Sequence, residues 1–453
     1  MDHRLDAAIA RWRNELDAAA GLPAEDAQEL EDHLRDEVES LLSLGLTVDE
    51  AMLVAVRRLG DVSEVVQRLA AVDADLAWRQ TYDSPTSASP KPGANAHETA
   101  FVLVTALAAA LLGKVPRLFG VSMDDAGIEI YLRNIGLFVV PVLILVYYLR
   151  RRFAPAILAA IAAIVVAGAV AANVYPFAAG GATSLLVALH LPLLLWLLLG
   201  LAYAGDDWRT VRLPLDFMRF TGEAFLYGVL ILCGGVVFVG LVIAFFAAIG
   251  IDVALVAVEY LGLSILLATP VIAAYLVEKK RSLIENLAPV LARIFIPLFL
   301  VMMVAFIAAV AVQGIGALGN REILILIDVL LLLVVGMVLY DLSARRDTQG
   351  GFGWPHKLNL ALIVAAMIID LLALYGIGAR LLEYGFSANK AAALGENVLL
   401  LINLAGLAIA YGRVAAGRAT FERVLAWQVR YLPIYLAWFA FVVFAFPPLF
   451  GYR

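Results

Sequence analysis

The chain has 453 residues, of which 63% are hydrophobic and only 16% charged. Ordinary soluble domains are roughly 45–50% apolar and about 25% charged, so the composition excludes a water-soluble globular protein. Charge is unevenly spread: residues 1–83 hold 8 Lys and Arg against 19 Asp and Glu, a net of −11, and the remainder carries +5, giving −6 overall. An acidic piece is joined to a basic, apolar one.

The first thirty residues carry Asp, Glu and Arg throughout and contain no apolar core of signal-peptide length, so the N-terminus is expected to stay in the cytoplasm. A first amphipathic helix is predicted over about Asp2–Ala20. Pro23 suits the first turn of a second, whose apolar positions Ala27, Leu30, Leu34, Val38 and Leu41 recur at helical spacing until Gly45. Thr47 followed by Glu50 forms a capping box for a short helix through Leu59, and Gly60, Asp61 and Glu64 repeat the stop-and-start chemistry. Residues 1–80 therefore read as an acidic three- or four-helix domain, too negative to be a direct ligand of nucleic acid.

Three blocks carry a family likeness: Glu29-Leu30-Glu31-Asp32-His33-Leu34-Arg35-Asp36-Glu37, then Gly45-Leu46-Thr47-Val48-Asp49-Glu50-Ala51, then Arg57-Arg58-Leu59-Gly60-Asp61. Over roughly residues 4–72 this resembles the bacterial permease prefix domain, also called the helical adaptor signalling domain. The resemblance implies an adaptor, fused to a permease-like membrane body, that docks a cytosolic regulatory protein. The alternative is that the acidic surface is simply a solvated face.

Residues 81–98 read as a flexible linker, because Tyr82 to His97 is rich in Ser, Pro and Gly and cannot build a core. From residue 99 onward the chain is expected to be a helical transmembrane domain. A crossing needs roughly 20 predominantly apolar residues, and eleven segments qualify, at about 99–119, 133–149, 154–174, 182–204, 221–249, 255–277, 290–312, 321–342, 357–378, 394–414 and 431–450. The fold class expected is all-α and polytopic. With the N-terminus inside, the cytoplasmic connections hold 17 Lys and Arg and the opposite side 7, which agrees with the positive-inside rule and leaves the C-terminus outside. Lys114 and Arg117 are the local exception, to be accommodated by snorkelling or by helix shortening. Trp208 to Phe220 and Arg418 to Arg430 mix Arg with aromatic and aliphatic residues, as segments lying along lipid headgroups do. Tyr147, Tyr148 and Trp354 fit an interfacial aromatic belt.

Ionisable groups are expensive inside a bilayer and so mark candidate sites. Asp370 is the most interior, flanked by apolar runs on both sides. Asp328 lies in the preceding helix, His190 and Pro192 in the fourth segment, and Glu396, Asn397 and Asn403 in the tenth, where the seven-residue step puts Glu396 and Asn403 on one face. Asp370, Asp328, Glu396, Asn403 and His190 are the candidate polar site; they either line a cavity or proton path, or pair with one another or with Arg380 to hold helices in register. Arg380 and Glu383 are expected to form a weak ion pair.

No catalytic or metal-binding motif is present: no Walker-type phosphate loop, no paired-histidine zinc motif, no Gly-x-Ser-x-Gly elbow. The single Cys233 excludes an intramolecular disulfide framework. No cofactor is expected. From about Leu287 onward, Asn286-Leu287-Ala288-Pro289, Leu374-Tyr375-Gly376 and Glu383-Tyr384-Gly385-Phe386-Ser387-Ala388-Asn389-Lys390 resemble the bacterial membrane family called domain of unknown function 4153, with Ser387 and Lys390 where that family has Thr and Arg. That likeness implies a membrane body and no particular activity. The leading expectation is a signalling or regulatory protein of the bacterial cytoplasmic membrane with an adaptor at its N-terminus; the alternative is a secondary transporter or lipid-handling permease built on the polar site.

Overall fold

A computed structural model describes residues 47–59, 94–123, 127–279, 281–344 and 352–453, together with helical positions 9, 12, 31, 34–36, 38, 41 and 42. Every regular element among the described residues is helical. The chain divides into two compact units, Met1–Ala94 and Asn95–Arg453.

In the first unit Ile9, Trp12, Leu34, Val38, Leu41, Ala51 and Ala55 form a small buried core. Leu34, Val38 and Leu41 are apolar positions of the expected second helix, and Ala51 and Ala55, one turn apart, belong to α1 (Val48–Leu59). The N-terminus of α1 is closed by Glu50, whose Oε2 accepts from the Thr47 backbone N–H at 3.0 Å and from the Thr47 hydroxyl at 2.7 Å. These bonds hold the Glu50 carboxyl below its ordinary range. The second capping box, at Asp61 and Glu64, and most of the expected linker lie outside the described residues.

The second unit opens with α2 (Ala94–Leu112) and the single turn α3 (Val115–Leu118). Then follow α4 (Ile128–Arg151), α5 (Pro155–Val174), α6 (Ala182–Ala204), α7 (Arg212–Ala248), α8 (Ala254–Lys279), α9 (Arg281–Gln313), α10 (Arg321–Ala344), α11 (Trp354–Tyr384), α12 (Ala388–Ala415) and α13 (Glu422–Phe444), with a last turn, α14 (Phe446–Leu449). Among the described residues ten of these, α4 to α13, are long and apolar enough to cross a membrane.

The first of the eleven expected segments ends earlier than expected. Helix α2 spans Ala94–Leu112, roughly 28 Å at 1.5 Å per residue against a hydrocarbon core of about 30 Å, and among the described residues its apolar part is Ala100–Leu112. The chain breaks at Gly113, where a Cβ would come within 2.1 Å of a Leu267 methyl. Just beyond, Lys114 Nζ donates to the Glu259 carbonyl at 2.6 Å and Arg117 reaches the Glu259 carboxylate at 2.7 Å. Helix shortening, with ion pairing, is how these two cations are accommodated.

Two connections also depart from expectation. Arg212 to Ala248 is one unbroken helix, so Leu213, Leu215, Phe217, Met218 and Phe220 are buried in the bundle, and this stretch is the start of a crossing helix and not a separate surface segment. From Glu422 the second such segment is likewise part of α13. Tyr147, assigned to an interfacial belt, is buried against Tyr203 and Phe220 and donates to Glu278 Oε1 at 2.8 Å. Its place one turn before Arg150 and Arg151 at a helix end reads as a belt position, and the structure adds that the ring packs inside the bundle.

The bundle has two principal cores. One is built by α2 and α4 to α8, the other by α9 to α13. Helices α6, α12 and α13 join them through Leu186, Ala388, Ala392 and Val442.

Candidate functional site

The five candidate residues come from α6, α10, α11 and α12, and they converge where those helices and α13 pack. Helix α12 distributes the polar groups, because successive residues point about 100° apart on a helix. Glu396 faces α6, where its Oε1 lies 2.6 Å from His190 Nε2. Asn397, the next residue, faces α10 and donates through Nδ2 to Asp328 Oδ1 at 2.9 Å. Asn403, seven residues beyond Glu396, faces α13, donating to the Tyr435 hydroxyl at 3.0 Å and accepting from Trp427 Nε1 at 3.0 Å.

The His190–Glu396 contact has a defined proton count. His190 Nδ1 is 2.8 Å from the Leu186 carbonyl, which only accepts, so Nδ1 carries a hydrogen. Nε2 and Glu396 Oε1 therefore share one proton, held either by the acid or by an imidazolium. His190 is buried, and its ring makes an edge contact with Phe439, which stacks on Tyr435. The two ends of the α12 face are thus linked along α13.

Asp370 is fully buried, and neither of its carboxyl oxygens has a hydrogen-bond partner among the described residues. Its neighbours include Asp328 and the Tyr435 hydroxyl. An unsatisfied buried polar group costs about 1–3 kcal/mol, and more when charged. Such a group is retained only where something offsets that cost, and buried polar exceptions are rare enough to need a reason.

The position of Trp427 depends on Gly406, where a Cβ would come within 2.0 Å of the indole. Gly395 makes the same kind of notch for Trp438, again at 2.0 Å. Helices α12 and α13 consequently lock through two tryptophans seated over glycines, which places the Trp427 N–H against Asn403.

Arg380 does not join the site and does not pair with Glu383. It donates to the Gly319 carbonyl at 2.8 Å and stands over the Tyr384 ring.

Sequence reasoning missed two polar clusters. In the first, Asn359 of α11 donates to Asp341 Oδ2 of α10 at 2.5 Å and to the Tyr411 hydroxyl of α12 at 3.3 Å. The signal available was the asparagine itself, one residue inside the apolar stretch that starts at Leu358. In the second, Glu259 is buried within a π-helical stretch, Ala257–Gly262, with Arg117 on its carboxylate and Lys114 on the main-chain carbonyls of Glu259 and Tyr260. A π segment frees carbonyls from regular bonding, and a lysine takes them up. Among the described residues no group of three or more His, Cys, Asp or Glu is placed to hold a metal ion.

Ten apolar helices enclosing buried ionisable groups define a multi-pass α-helical membrane protein. No family model, curated protein or solved structure matches the chain.

Proposed function

We propose that the chain is a permease-type protein of the bacterial cytoplasmic membrane, in which Asp370, Asp328 and the His190–Glu396 pair form an intramembrane path that takes up and passes protons. The observation that carries this reading is Asp370, whose carboxyl oxygens are both buried and unpartnered beside a second carboxyl. Purely structural carboxyls in a bilayer are normally paired. The unequal distribution of Lys and Arg supports cytoplasmic connections after α4, α6, α8, α10 and α12; with α2 as a further crossing, the N-terminus is cytoplasmic and the C-terminus external. The test uses the full chain in proteoliposomes under an imposed inside-negative potential, read by an internal pH dye. Acidification several-fold above empty liposomes, lost in Asp370→Asn, is expected; wild type indistinguishable from empty liposomes contradicts it.

A second role accompanies this one. The N-terminal residues form a compact unit with a core of their own, which favours a docking adaptor that reports the state of the membrane body to a cytosolic regulator. Co-purification of a defined partner with the full chain, and its loss when residues 1–80 are deleted, is the expected result.

A further inference from the structure

Between the two cores runs a crevice of about 1460 Å³, walled by α5, α6, α7, α9, α10 and α13. Sites for small molecules usually occupy roughly 300–1,000 Å³, so this one is large. Along α7 its lining extends from Pro214 to Leu230, about 24 Å of helix, which exceeds one leaflet of a hydrocarbon core about 30 Å thick. The walls are almost wholly apolar, as at Phe225, Phe295, Leu332 and Leu436.

Two cations interrupt that apolar lining. Arg209, in the connection before α7, and Arg430, early in α13, both border the crevice. Because successive membrane helices alternate in direction, the starts of α7 and α13 lie at the same end of the bundle. Both arginines are exposed, and neither has a carboxylate partner among the described residues; Arg209 stands over the Trp208 indole at 4.8 Å. Other arginines of the bundle are committed: Arg117 to Glu259, Arg150 to Glu278, Arg219 to Glu223.

We propose that the crevice is a binding site for an anionic phospholipid, with its phosphate between Arg209 and Arg430 and its acyl chains along α7. Guanidinium groups bind phosphate oxygens in bidentate fashion and carry a weaker hydration shell than an ammonium. A long apolar slot ending in two uncommitted guanidinium groups complements a lipid with a charged head, and the surrounding bilayer supplies one. The site is separate from the carboxyl path. Helix α13 turns Val429, Leu432, Pro433 and Leu436 toward the crevice, whereas Trp427 and Tyr435 meet Asn403 of α12.

The experiment is native mass spectrometry of the detergent-purified full chain after exposure to phosphatidylglycerol or phosphatidylcholine vesicles of identical acyl chains. Wild type is expected to retain phosphatidylglycerol in preference by on the order of tenfold. Arg209→Gln combined with Arg430→Gln removes the preference and leaves general lipid retention intact. Gly336 lines the slot, and a Cβ added there meets nothing within 4 Å, so Gly336→Phe projects a ring into the slot and lowers retention of both lipids. Equal retention of the two lipids by wild type overturns the proposal, as does full retention of phosphatidylglycerol in the Gly336→Phe variant. Loss of fold in that variant leaves the arginine pair as the deciding comparison.

Discussion

His190 of α6 and Glu396 of α12, 206 positions apart in the chain, meet at 2.6 Å and share a single proton, because the other imidazole nitrogen is committed to the Leu186 carbonyl. The contact ties a helix of the first core to one of the second, so it serves packing as well as proton handling.

Glu396→Ala leaves a buried imidazole without its partner and is expected to lower stability by about 1–3 kcal/mol. Side-chain exposure of 32% at Glu396 places the effect at the lower end. His190→Gln with Glu396→Gln replaces the pair by two amides able to bond each other, and is expected to cost less than the sum of the single changes. Thermal unfolding in detergent across the four-membered cycle measures the coupling.

The Gly406 notch has a sharper expectation. Gly406→Ala brings a methyl against the Trp427 indole and is expected to cost about 1–3 kcal/mol through overpacking. Adding Trp427→Phe to the same chain removes much of the clash and restores part of the lost melting temperature, although the N–H to Asn403 is then gone.

These features differ in how far the sequence disclosed them. Asp370, Asp328 and Glu396 were legible because a carboxyl in an apolar run conflicts with its solvent; the seven-residue step put Glu396 and Asn403 on one face of α12, along which they meet different helices, α6 and α13. Which helix each residue meets was not legible, since helix periodicity orders residues along one element and says nothing of its neighbours. The ten long helices follow from apolar length alone. The end of the first segment at Leu112 was hidden because Lys114 and Arg117 look unfavourable until Glu259, some 140 positions away, supplies their partner. That Arg212 to Phe220 continues into a crossing helix was not legible, because arginine beside aromatics occurs equally at a lipid surface and where a helix enters a protein core.

Arg117 and Glu259 give an asymmetric pair of outcomes. Arg117→Ala strands a carboxylate of a residue only 4% exposed and is expected to destabilise more than Glu259→Gln, which leaves Arg117 able to reach solvent at 45% exposure. About 1–3 kcal/mol is expected for the first, after allowance for that exposure, and less than half of it for the second. Melting temperatures of the two variants decide the order.

In the N-terminal unit, Glu50 provides a pH signature. Its carboxyl sits below the ordinary range because Thr47 donates to the ionised form. A depressed value means the cap is complete above the unfolded glutamate range and is lost as pH falls through the folded value. The Thr47 amide proton resonance is therefore expected to titrate with a midpoint below that of a free glutamate, and the transition disappears in Glu50→Gln.

The claim that Asp370 exchanges a proton within the membrane is tested most directly by infrared difference spectra of the full chain in liposomes, recorded between two pH values in light and heavy water. The expected result is a carboxyl C=O band that shifts on deuteration and is absent in Asp370→Asn. Spectra of wild type and Asp370→Asn that coincide in that region contradict it.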